Sequence, residues 1–291
     1  MSKPIHLSPD DVLCDITRDS IFKAVFTRET PESQGALKFL VSAAIRQPVK
    51  VITVIANEPP VNDTRERQIR YDITVKFNDN QLGDVEMTVN PDKEEHKRQE
   101  YFLARLFATQ EIKGKDRSYR DLRPTYQISL LGKGRIHDDD DLVHRFVYYD
   151  PEHNLSFKGL TVIIDIELEK AKKVAAEKTV PEMADIERWA VFFRYHLDPA
   201  KRELINEILE YEEGISMAAE GLLTVTQAER DAVRQISELK YELDMQSALV
   251  YAKEDGYEQA KKEAEKIIQR LERENEELRR RVAGSGPNTG L

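Results

Sequence analysis

The sequence predicts an α/β fold, with strands and helices interleaved ahead of a long helical tail. Three observations predict it. Two central runs, Ile69 to Phe77 and Val85 to Val89, place apolar residues at every second position, the period of a strand. Ile21, Phe22, Val25 and Phe26 before them, and Phe102, Leu103, Leu106 and Phe107 after them, recur at helical spacing. From Pro181 the pattern is helical nearly to the end.

The totals set the limits. A chain of 291 residues holds one core of ordinary domain size plus an appendage. Its 40% apolar residues, with ten Phe and eleven Tyr, suffice for a packed interior, and its 34% charged residues point to long solvated helices. The single cysteine, Cys14, cannot form an internal disulfide, and no charged-then-apolar leader opens the chain. A reducing, cytoplasmic setting is expected. No apolar run approaches the roughly 20 residues of a membrane helix, so no membrane partner is expected. A net charge of −10 excludes a surface that coats nucleic acid all over. Residues 93 to 123 nevertheless carry nine Lys and Arg against six acids, which suits a phosphate-facing edge or a solvated helix and loop.

Asp15 or Asp19 caps the first helix, and Thr30-Pro31 opens the second, with proline in its first turn. Residues 49 to 55, β-branched and bounded by prolines, form a strand. In the next strand Ile69, Tyr71, Ile73, Val75 and Phe77 take one face, and Arg70, Asp72, Thr74 and Lys76 the other. Asn78-Asp79-Asn80 is turn chemistry, and Val85, Met87 and Val89 then alternate with Asp84, Glu86, Thr88 and Asn90. A helix follows from Pro91-Asp92 to about Ile112, with Arg98 and Arg105 sharing one of its faces. Pro124 to Leu131, Val143 to Tyr149 and Thr161 to Leu168 read as further strands.

Parity places the chemistry on the hairpin. If the apolar residues of both strands face one core, Asp72 and Glu86 share the other face, and pairing 72 with 86 leaves the three-residue loop 78 to 80. Directly opposite Cβ atoms lie roughly 4.5 to 5.5 Å apart, within reach of a shared cation. Mg²⁺ suits one or two carboxylates completed by waters and phosphate oxygens. The other reading is two exposed polar residues on a half-solvated hairpin. His137, His144 and the acids Asp138 to Asp141 match neither a zinc-helix spacing nor a calcium loop, and a solvated loop is expected there. The chain has no glycine-rich phosphate loop, dinucleotide fingerprint, or Ser or Cys nucleophile motif.

A succession of short motifs resembles one family. Asp19-Ser20-Ile21-Phe22-Lys23-Ala24-Val25-Phe26, Arg70-Tyr71-Asp72-Ile73, Val85-Glu86-Met87, Arg98-Gln99-Glu100-Tyr101-Phe102, Tyr126-Gln127-Ile128-Ser129 and Ile166-Glu167-Leu168-Glu169-Lys170 stand in the order of the Rpn-type recombination-promoting nucleases and putative transposases. The likeness runs over roughly residues 15 to 265. It implies a PD-(D/E)XK, restriction-endonuclease-like fold, a mixed sheet flanked by helices, and Mg²⁺-dependent (or Mn²⁺-dependent) cleavage of DNA. Asp72 and Glu86 would be the catalytic carboxylates and metal ligands. Asp19, Lys23 and Lys76 would border the site, and Arg98 and Arg105 would meet phosphates. The chain departs from the pattern at the third position of the Glu-x-Gln/Lys element, where Thr88 offers a short hydroxyl in place of a long donor. A catalytically silent DNA- or protein-binding module is therefore the alternative.

The resulting organisation is a nuclease-like core over residues 1 to 180, a helical subdomain over 181 to 250, a charged helix or short coiled coil over 251 to 283, and a flexible terminus from 284. In the tail, Ile268, Asn275 and Val282 fall at a positions and Ala264, Leu271 and Leu278 at d, a seam for a homodimer or one face of a solvated helix.

Overall fold

The computed structural model of the chain describes residues 5–55, 70–110 and 118–225. Helices α1 (Asp19–Phe26) and α2 (Pro31–Ile45) come first. The expected acidic cap is corrected: Arg18 holds the N-cap position of α1 without a side-chain hydrogen bond, and Asp19, just inside, complements the dipole of a helix whose Ile21, Phe22, Val25 and Phe26 are buried. In α2 the Thr30 hydroxyl accepts the Ser33 N–H at 3.2 Å, and Pro31 follows the cap.

Six strands form the main sheet: β1 (Ile52–Val54), β2 (Ile73–Phe77), β3 (Gln81–Thr88), β4 (Thr125–Leu131), β5 (Val143–Phe146) and β8 (Thr161–Glu167). Their order is β1-β2-β3-β4-β8-β5. The first three run antiparallel, β3, β4 and β8 run parallel, and β5 closes the edge antiparallel. Between β2 and β3, Asn78 (φ 43°) and Asn80 (φ 65°) take the left-handed backbone of the turn, which asparagine tolerates. The Asn78 side chain also accepts the Lys50 N–H at 2.9 Å, tying the approach to β1 onto the turn.

One face of the sheet is apolar and buried, with Ile73, Val75, Phe77, Val85, Met87, Ile128, Leu130, Ile164 and Ile166. Helix α3 (Glu95–Ala108) packs against β3, β4 and β8. It ends at Thr109, whose N–H and hydroxyl both return to the Leu106 carbonyl. A short α4 (Ala171–Glu177) follows β8, and then come α5 (Asp185–Tyr195), α6 (Arg202–Tyr211) and α7 (Glu213–Leu223). Helix α7 packs on α1 and α2, and α5 on α2. Trp189 and Phe193 of α5 stack near Phe22 and Phe26 of α1. The α2–α7 approach is close because each helix offers a glycine to the other: Gly35 faces Met217, and Gly214 faces Phe39.

Several expectations are corrected. The strand expected over 143 to 149 breaks after Phe146, where its pairing with β8 ends at Ile163. Tyr149 instead pairs with Ser156 in a separate two-stranded ribbon of β6 (Tyr149–Asp150) and β7 (Leu155–Ser156). The strand expected over 49 to 55 is ordered as a ladder only at 52 to 54. Tyr71 is buried, but its ring meets Phe102 and its hydroxyl donates to the Phe102 carbonyl at 3.1 Å, so it serves α3. Ile69 and the tail seam lie outside the described residues.

Candidate functional site

The second face of the sheet is polar and nonetheless buried. Thr74, Asp84, Glu86, Gln127, Ser129, Asp165 and Glu167 are all shielded from solvent. The alternative of two exposed residues on a half-solvated hairpin is thus set aside, since Glu86 is buried and Asp72 half-buried. Helix α3 contributes Gln99, which donates to Asp165 Oδ1 at 2.9 Å, and the buried Glu95. A buried polar group without a partner is costly, so such a surface points to a site.

One row crosses the sheet: Glu86 pairs with Ser129, Ser129 with Asp165, and Asp165 with His144. The β2–β3 ladder sets Ile73 opposite Val85 and Thr74 opposite Asp84, a register that carries Asp72 to the level of Glu86. Backbone N–H groups hold both carboxylates at this level. The Asp72 N–H donates to Glu86 Oε1 at 2.9 Å, and the Met87 N–H donates to Asp72 Oδ2 at 3.0 Å. Lys23, one turn into α1, bridges Asp19 at 2.6 Å and Asp72 Oδ1 at 3.1 Å.

Carboxylates crowded in a poorly solvated place hold their protons. Burial, then the Asp72 charge, pushes Glu86 up to about 7. Burial also raises Asp72, although the Lys23 ammonium opposes it. Asp84 is raised well above the ordinary value, by complete burial and then by Glu86, and neither of its oxygens has a hydrogen-bond partner among the described residues. For Lys23, burial works against the ammonium, but Asp19 and Asp72 together hold its pKa above the usual value. The donor set fits a hard divalent cation: three neighbouring acids whose mutual repulsion positive charge would relieve.

The neighbouring side chains are distributed unevenly. Arg98 Nη2 donates to the Thr88 hydroxyl at 2.6 Å and to Glu95 at 2.8 and 3.0 Å. Thr88 is therefore held by α3, and the Arg98 charge also acts on Glu86. Arg105 lies two turns further along α3, half-buried, with its charge acting on Tyr71. Lys76 stands opposite Leu82 and is exposed, four residues or roughly 13 Å of strand from Asp72.

A family model described as PD-(D/E)XK nuclease family transposase matches residues 16–252. The chain belongs to this family. No curated protein and no solved structure matches it. The six-stranded mixed sheet flanked by helices fits the PD-(D/E)XK fold, and within it α1, β2 and β3 bring Lys23, Asp72 and Glu86 together.

Sequence reasoning missed Asp84, although it alternates with Glu86, because its burial depends on neighbouring strands. It also read His137, His144 and Asp139 as a solvated loop. In this PD-(D/E)XK nuclease family member they converge on the end of β8. His137 Nε2 lies 2.9 Å from Asp165 Oδ2, His144 Nε2 lies 2.8 Å from Asp139 Oδ2, and the two rings are 4.1 Å apart.

Proposed function

We propose that the chain is a divalent-metal-dependent DNA endonuclease of the Rpn type, with Asp72 and Glu86 as ligands for Mg²⁺ or Mn²⁺. The observation that carries this reading is the crowding of the half-buried Asp72 with the buried Glu86 and Asp84, whose ionised forms repel one another until a cation balances them. A cation held there supplies positive charge for the scissile phosphate and for an attacking water. Asp72 and Glu86 orient that charge, and the backbone N–H groups of residues 72 and 87 fix the two carboxylates. Lys23 brings an ammonium to Asp72, and Asp19 steadies it. Arg98 and Arg105 present the basic face of α3 to phosphates.

The engagement of Thr88 favours a second reading. Its hydroxyl is held by Arg98, and Arg98 is also bonded to Glu95, which suits a catalytically silent module that binds DNA or protein. Nicking of supercoiled plasmid with Mg²⁺ and with Mn²⁺ separates the two. Wild-type cleavage that disappears in Asp72→Ala supports the nuclease. Cleavage that persists in Asp72→Ala removes this site from the reaction, and absence of cleavage in the wild type favours the module.

A further inference from the structure

We infer that His137, His144 and Glu167 form a second metal site, selective for a borderline transition ion of the zinc class and separate from the Asp72–Glu86 pair. One ligand atom from each of the three residues lies within 4.8 Å of the others. Ligands about 2.0 to 2.2 Å from a tetrahedral zinc stand roughly 3.4 Å apart, so the side chains need to close by little more than about 1 Å. Two imidazoles and a carboxylate are a donor set for zinc or cobalt rather than for magnesium, and they leave a coordination position open.

The surroundings are those a metal site needs. One nitrogen of each ring already meets a carboxylate, His137 with Asp165 and His144 with Asp139, the outer contact that fixes a ligating histidine's orientation and basicity. His144 Nδ1 has no hydrogen-bond partner among the described residues and lies 3.8 Å from Glu167 Oε2. Glu167 is fully buried, and its other oxygen, Oε1, accepts the Ile136 N–H at 2.7 Å. His137 also lines a cavity of about 480 Å³ with His96, Gln99 and Phe146, which gives an entry path.

Lys170 is the competing cation. Its Nζ lies 2.5 Å from Glu167 Oε2 and 3.1 Å from Asp139 Oδ1, so an ion taking Oε2 leaves the ammonium on Asp139. Such an ion would tie the loop before β5, β5 itself and the end of β8 together. The row from Glu86 to His144 crosses three strand gaps, about 14 Å at roughly 4.8 Å each. Paired catalytic metals stand about 3.5 to 4 Å apart, so the site is independent of the proposed nuclease centre.

Cobalt(II) titration of the full chain tests it, read by visible d–d absorption, with zinc calorimetry alongside. One equivalent is expected to bind with a visible band that persists in the Asp72→Asn/Glu86→Gln double variant. The affinity is expected to fall at least tenfold in His144→Ala and in His137→Asn, the latter altering a loop residue in case the former perturbs folding, which circular dichroism monitors. Absence of both band and zinc heat in the wild type overturns the inference. So does a band unchanged in folded His137→Asn, or one lost in the Asp72→Asn/Glu86→Gln variant.

Discussion

Glu86 keeps its proton to about pH 7, whereas an unfolded glutamate releases it near 4.3. Between those values the folded chain binds more protons than the unfolded chain, so stability falls as pH rises through that window. The cost is complete above pH 7 and amounts to about 4 kcal/mol at 1.36 kcal/mol per pKa unit. Glu86→Gln should flatten this slope and raise the melting temperature at pH 8, and Mg²⁺ should do the same for the wild type by binding the native state. Melting curves from pH 4.5 to 8 read both, and an unchanged slope in Glu86→Gln would place the titration elsewhere. Thr88→Lys tests the chemistry. A donor aimed at developing charge contributes roughly 3 to 4 kcal/mol to a barrier, so plasmid nicking should rise by about two to three orders of magnitude if the third position limits the rate. No gain over a cleaving wild type would mean that the third position does not limit the rate, and silence in both would favour the binding module.

Helix α7 meets α2 through Gly214, where an added methyl group would overlap Phe39 and stand 2.7 Å from its Cγ. Gly214→Ala should cost about 1 to 3 kcal/mol by overpacking. At Gly221 the nearest atom to an added Cβ is Val25 Cγ1 at 3.4 Å, so Gly221→Ala should be neutral or gain up to about 1 kcal/mol of helix propensity. Denaturant midpoints of the two variants check the contrast. The elements also show what was legible in the chain. Alternation in 69 to 77 and 85 to 89 located the hairpin, and the parity of its apolar residues put Asp72 and Glu86 on one face, because register within a hairpin is a local property. Burial of that face was not legible, since it depends on Gln99 meeting Asp165 across 66 positions. The cluster at 137, 144 and 167 was hidden for the same reason: a loop, an edge strand and a parallel strand reach one point only after β8 has crossed over to pair with β4. Helix α4 was missed because its seven residues carry too few apolar positions to show a period.

At the scale of the whole molecule, the net charge of −10 repels DNA except where local basic groups face it, so any cleavage should weaken steeply with salt. Two copies would double the length of such a basic edge, which gives self-association a functional reason. The tail is the proposed means. In the heptad register proposed from the sequence, Leu271 and Leu278 fall at d and Asn275 at a, where a buried asparagine would select an in-register pair at some cost in stability. The seam is barely three heptads long, so pairing should be modest and concentration-dependent. Sedimentation of the full chain and of a chain ending at residue 250 decides the matter: a dimer that becomes a monomer on truncation places the interface in residues 251 to 283. Two monomers at micromolar concentration would leave the tail as a solvated helix. Two dimers would move the interface to the residues before 251, and Asn275→Leu separates that case further, because it should alter the stoichiometry only if position 275 faces a partner.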